Sequence, residues 1–107
     1  MIKPIKFFMR QNIGVLIGQD VEDITDDVVL AVTGGETLSV STEHRSTYTE
    51  RYSVNITFVR IQSTPNIVNL LRTSWVDACL WENRVWSILE YNEIDNLRID
   101  VVLGASQ

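Results

Sequence analysis

The residues able to do chemistry are few and scattered. One histidine, His44, and one cysteine, Cys79, are the candidates for nucleophilic catalysis, which needs an imidazole within hydrogen-bond reach of a thiol or hydroxyl. His44 falls in the polar run Glu43-His44-Arg45 and Cys79 in an apolar stripe, so His44 is expected to be solvated and Cys79 buried as a small hydrophobe. Two such residues are short of the four ligands of a structural zinc site. Five carboxylates, Asp20, Glu22, Asp23, Asp26 and Asp27, crowd residues 20–27, but without the alternating ligands, central glycine and terminal glutamate of a calcium loop they read as a solvated acidic connection. Gly34-Gly35 lacks the spacing of a phosphate-binding loop and reads as a turn needing positive φ. Glu90 and Glu93 have no neighbour in sequence that would raise one pKa for acid catalysis. The expectation is a protein without catalytic residues, cofactor or metal, and not an enzyme.

Composition agrees with a folded chain. With 107 residues, 45% hydrophobic and 21% charged, the sequence suits one domain, residues 1–107, rather than a disordered polymer. Fourteen acidic against nine basic side chains give a net charge of -5, the wrong sign for general phosphate neutralisation. The opening ten residues are too interrupted by charge for a secretory leader, and no apolar run reaches the ~18 residues of a membrane span. An intracellular site of synthesis is expected. On that ground the sequon Asn55-Ile56-Thr57 is read as strand.

Periodicity then supplies elements. Pro4 at a first helical position, with Ile5, Phe8, Met9 and Ile13 at three-and-four spacing, predicts an N-terminal amphipathic helix over 4–13. Val15-Leu16-Ile17 is a short apolar run between glycines. Residues 28–32 read as a buried strand closing at the Gly-Gly turn, 36–41 as an edge strand or extended arm, and 41–49 as a polar loop tip. Residues 51–61 alternate strictly and form the clearest strand. Ser63-Thr64-Pro65 starts a second, longer helix whose stripe continues to Leu80, Cys79 on its apolar side. Residues 84–91 and 96–103 then form a hairpin around Asn92-Glu93-Ile94-Asp95, with Leu97, Ile99, Val101 and Leu103 on one face. The order predicts an α+β fold: a small antiparallel-rich β-sheet with the N-terminal helix and the second helix packed on it.

Trp75, Trp81 and Trp86 with Phe7 and Phe8 are heavy aromatic weight for so small a core, and a remainder left outside it would mark an association surface.

The element order, carried by residues 4–13, Val28-Val29-Leu30-Ala31-Val32-Thr33-Gly34-Gly35, residues 52–60, 66–80, 84–91 and 96–103, resembles tail terminator (tail completion) proteins of tailed bacteriophages. The closing stretch, residues 83–99, is also similar to the end of phage head–tail adaptor or stopper barrels, where a Trp or Tyr before Ile opens a strand and an acidic turn precedes the last one. The barrel becomes the better match if residues 66–80 are not one helix.

Both resemblances imply a structural protein of the virion neck, made in the host cytoplasm. The terminator resemblance implies a homo-oligomer, a hexameric ring, stacked between the tail tube protein and the head-completion (connector) protein. Genomic DNA would pass through its lumen without specific binding, and no membrane is involved. A ring requires a heterologous interface that closes. Phe7 and Phe8 in the N-terminal helix, and Leu38, Val40, His44, Arg45 and Tyr48 in the polar arm, are the expected subunit or partner contacts. Asp20, Glu22, Asp23, Asp26 and Asp27 are the expected channel-facing acids, where like charge would keep the duplex from sticking. Two readings from other classes compete: a small enzyme, which needs His44 buried beside Cys79 or a carboxylate, and a protein-binding module that adds a peptide to the edge at residues 38–41.

Overall fold

The computed structural model describes residues 1–10, 24–52 and 54–105. Among them are six strands, β1 (Lys3–Phe8), β2 (Val29–Thr37), β3 (Asn55–Gln62), β4 (Ala78–Trp81), β5 (Arg84–Glu93) and β6 (Arg98–Ala105), and two α-helices, α1 (Thr42–Tyr52) and α2 (Pro65–Arg72). All strand pairs are antiparallel, in the closed order β1-β2-β3-β6-β5-β4. This is a small α+β fold whose sheet has curled into a barrel. The strands are staggered, so β5 pairs with β4 through Arg84 to Ser87 and with β6 from Ser87 onward, as closure of a tilted sheet demands.

The barrel interior explains the first departure from the sequence reading. Residues 3–8 form strand β1 instead of the start of a helix: Ile5 and Phe7 point inward with Lys6 between them, and six positions pair with β2 and three with β4. The spacing Ile5, Phe7, Phe8 fits a period of two with a bulge as well as it fits a helix, and ladder pairing on both sides decides between them. That bulge, between Phe7 and Phe8, accompanies burial of both rings. The later residues of the expected helix, and Val15-Leu16-Ile17, lie outside the described residues.

Gly34 and Gly35 are not a turn. Both sit within β2, and a Cβ on Gly35 would lie 3.0 Å from Val59 Cγ1 and 3.1 Å from Trp81 Cζ3. The missing side chain makes room for the Trp81 indole in the interior.

β3 has two apolar faces. Val59 and Ile61 point inward opposite Val101 and Ile99, whereas Ile56 and Phe58 lie on the outer face, Phe58 opposite Val102. Arg60 and Asp100 extend that outer row as a bidentate ion pair, at 2.7 and 3.0 Å.

The second helix is shorter than its stripe. Thr64 Oγ1 caps α2 by accepting the Ile67 N–H at 3.2 Å, Pro65 fills the first turn, and Ile67 and Leu71 plug into the interior cluster. After the cap at Thr73, Ser74 turns left-handed (φ 58°) and Trp75 N–H returns to Leu70 O at 3.0 Å, the reverse turn that stops a helix. Ala78 and Cys79, expected on a helical stripe, belong to β4, the strand that closes the barrel between β1 and β5. A two-residue turn, Glu82 (φ 50°) and Asn83 (φ 61°), reverses the chain into β5, the geometry whose twist matches that of the strands.

In the last hairpin, strand pairing continues to Glu93 and resumes at Arg98, so Leu97 leaves the inward row and is 73% exposed. Asp95 braces the tip, accepting from Leu97 N at 2.8 Å, Arg98 N at 2.9 Å and the Arg98 guanidinium. These donors, the Arg98 side chain first, hold its carboxyl below the ordinary range.

Candidate functional site

Residues 41–49, expected as a loop tip, begin α1. Ser41 Oγ accepts the His44 N–H at 3.1 Å and Ser41 O the Arg45 N–H at 3.0 Å, which starts the helix; Glu43 in its first turn and Arg51 in its last suit its dipole. The helix has no buried residue. It lacks the apolar stripe that periodicity detects, and Tyr48 and Tyr52 are the hydrophobic side chains it packs on the barrel.

Under α1 lies a second apolar cluster, separate from the interior. Ile56, Phe58 and Val102 on the outer face of β3 and β6 are its buried members, and Leu38, Val40, Tyr48, Tyr52, Val54 and Leu89 pack around them. Leu38 follows β2 and its N–H donates to Phe58 O at 2.8 Å, which lays the chain along β3. Tyr48 meets the Phe58 ring edge-on at 5.3 Å, and the His44 ring is 5.2 Å from Tyr48 and 5.3 Å from Phe58. Gly104 leaves space here too: a Cβ would lie 2.8 Å from Leu89 Cδ1 and 2.9 Å from Val54 Cγ2.

Polar contacts complete the attachment. Arg45 Nη1 donates to Ile56 O at 2.6 Å, its guanidinium 5.7 Å from the Phe58 ring centre. Glu90 of β5 accepts from Tyr52 Oη at 2.8 Å and Arg51 Nη1 at 3.0 Å. The Tyr52 hydroxyl first, then Tyr48 and Arg51, hold the Glu90 carboxyl below its ordinary 4.5 against the opposing effect of burial. The same neighbourhood raises Tyr48, through desolvation first and then Glu90. Between α1 and the β5–β6 ladder the packing leaves a groove of 290 Å³ lined by Leu38, Val40, Tyr48, Phe58, Glu90 and Asp100 among others.

The expected contact residues therefore divide. Leu38, Val40, His44 and Tyr48 line this groove, with Arg45 beside it on α1. Phe7 and Phe8 are fully buried within the chain, with no side-chain surface left for a partner, because the segment is a barrel strand. Asp26 and Asp27 are exposed in a short 3-10 turn, Asp26 3.4 Å from Lys6, while Asp20, Glu22 and Asp23 lie outside the described residues. Sequence reasoning passed over Glu90, Asp100 and Phe58 as site residues; the alternation of the strands carries Phe58, but only the register of β5, β6 and β3 brings the two carboxylates beside it.

The histidine and the cysteine singled out as nucleophilic candidates lie on different elements. His44 stands exposed on α1 and Cys79 is enclosed in β4, where burial pushes its thiol far up. Among the described residues no three His, Cys, Asp or Glu side chains group to hold a metal ion, and no helix is long and apolar enough to cross a membrane. Other apolar side chains are exposed elsewhere: Ile2 (59%) and Leu97 flank a groove over Gly34 and Gly35, and Trp75 (62%) follows α2. Against family models, curated proteins and solved structures, the chain has no match.

Proposed function

We propose that this protein is a structural component of the neck of a tailed bacteriophage virion, a ring-forming β-barrel of the head–tail adaptor or stopper kind. The observation that carries this reading is the closed barrel: residues 66–80 do not form one helix, and Ala78–Trp81 is instead the strand that shuts the sheet. That was the condition under which the closing hairpin, residues 83–99, made an adaptor or stopper the better match. Exposed apolar side chains at Ile2, Trp75 and Leu97, and the groove beside α1, supply surface for neighbours. A tail terminator ring is the second reading, and it loses the N-terminal helix, the Gly-Gly turn and the long second helix on which its element order rested. In either, the acidic balance of the chain suits passage of DNA without retention.

The test is assembly. Light scattering over a range of concentrations and negative-stain imaging should find closed rings, free or formed on a partner particle. Association with DNA-filled heads lacking tails supports the adaptor or stopper, and association with free tail tubes supports the terminator. A protein that stays monomeric alone and binds neither particle overturns the neck reading.

A further inference from the structure

The groove over Gly34 and Gly35 lies at the end of the barrel where β1 and β6 begin, and encloses 560 Å³. Two adjacent positions of β2 without side chains keep it open: a Cβ on Gly34 would lie 2.8 Å from Ile2 Cγ2 and 3.0 Å from Gln62 Oε1. Ile2 and Leu97, both exposed, form its rims. Leu97 is held as a fixed projection, its N–H donating to Asp95 Oδ1 at 2.8 Å and its C=O accepting from Ser63 N at 2.8 Å, so little order is lost when its side chain meets a surface. The charged residues lining the groove are matched within the chain. Arg60 is bound by both oxygens of Asp100, Arg98 lies 2.7 Å from Asp95, and Glu36 faces the Met1 amino group at 3.8 Å. What the groove has to offer is therefore apolar contact. The chain as a whole carries -5, so two copies repel over most approaches; here the charges cancel in pairs, and apolar contact between copies meets the least opposition. A projecting leucine beside a glycine-floored hollow is also self-complementary, because under a two-fold axis each Leu97 reaches the hollow of the other copy.

We propose that this face is a two-fold contact between copies of the chain, Leu97 of each copy seated in the groove over Gly34 and Gly35 of the other and packed against its Ile2. The proposal goes beyond the neck reading. A two-fold contact joins copies in pairs and does not by itself build a ring, so it would pair two free subunits, or two rings closed through other faces, and it stands whether or not rings form.

The experiment is sedimentation equilibrium of the intact protein over a concentration series, with the dissociation constant of the pair expected on the order of 10–100 μM, as suits a small interface. Leu97→Asp should halve the mass of the wild-type species and weaken pairing at least tenfold, and Ile2→Asp on the opposite rim should do the same. Both positions are exposed, so circular dichroism should find the fold of each variant intact. Trp75→Ser, which removes an equally exposed apolar side chain outside the groove, should leave the mass unchanged. In a mixture of isotope-labelled and unlabelled protein, nuclear Overhauser contacts between copies should run from the Leu97 methyls of one to Ile2 and Gly34 of the other. A wild-type protein still monomeric at about 1 mM, a mass that Leu97→Asp leaves unchanged or lowers by more than half, or an equal response to Trp75→Ser would overturn the proposal.

Discussion

β3 and β6 each present two apolar faces, and the two are held in different ways. Toward the interior, Val59, Ile61, Ile99, Val101 and Leu103 are 0–1% exposed and enclosed by backbone ladders, with α2 as a plug. Toward the outside, Ile56, Phe58 and Val102 keep 5–9% exposure beneath a polar helix that buries nothing of its own and is tied down by Arg45 and Glu90. Interior packing is cooperative, because removing one side chain leaves a void that the ladders cannot collapse into. Outer packing is modular: α1 can loosen without opening a strand pair. The fold thus uses the same two strands for a core that defines the barrel and for a face that receives an accessory cover.

The largest test of that contrast is Trp81→Ala, which empties the interior at a residue 1% exposed and should cost about 3–5 kcal/mol in urea unfolding, as large aromatic truncations do. The Trp81 Nε1–H is buried without an acceptor among the described residues, so Trp81→Phe should recover much of that loss, the unpaired donor being removed with the ring. If Trp81→Ala instead left global stability unchanged and loosened only α1, the contrast would fail.

Next come the two glycines that make room on opposite faces. Gly35→Ala pushes a methyl against Val59 and Trp81 and should cost about 1–3 kcal/mol of global stability. Gly104→Ala brings its methyl closer still, 2.8 Å from Leu89 Cδ1 and 2.9 Å from Val54 Cγ2, but within the outer cluster, so the strain should be seen mainly as faster amide exchange in α1. Equal global losses would mean the outer cluster is as integral as the core.

A smaller effect is expected at Glu90. Its Tyr52 and Arg51 contacts are partly exposed, so Glu90→Gln should remove about 0.5–1 kcal/mol, read as faster hydrogen exchange across residues 42–52 with the β3–β6 ladder unchanged. The wild-type protein should show the same response to acid. Because the folded-state carboxyl titrates below 4.5, its ionised form contributes stability that is complete above that value and lost as pH falls through the depressed folded-state value. Exchange in α1 that stayed constant through this acid range would remove Glu90 from the attachment.

The smallest expected change is a gain. Ser74 occupies a left-handed position after α2 with φ 58°, and Ser74→Gly should add roughly 0.5–1 kcal/mol by relieving that conformation. As α2 plugs the interior, the gain should appear in global unfolding rather than in α1 exchange.

Much of the architecture was legible where alternation was long. The central part of β3, the inward row of β6 and the start of α2 follow from strict period-two patterning and from Thr64-Pro65. β1 and β4 were not, because segments of six and four residues fit either period, and only pairing with strands distant in sequence makes them strands. α1 escaped because a helix polar on nearly every side carries no periodic signal. Within the site, Leu38, Val40 and Tyr48 stood out as apolar residues stranded in a polar arm. Glu90 did not, since its partner Tyr52 is 38 positions away and meets it only through the barrel's register.

The position of β6 bears on how the chain is made. It is the last of the six strands in sequence, yet it alone bridges β3 and β5. Until β6 has emerged from the ribosome, the preceding strands can hold at most an open sheet with two bare edges, Val59 and Ile61 still facing water. A cell making this protein must shield that unfinished sheet until the final ladder arrives, and translation pauses or truncations before Arg98 should divert the nascent chain to chaperones or aggregates, an outcome that release of arrested chains in a cell-free system would reveal.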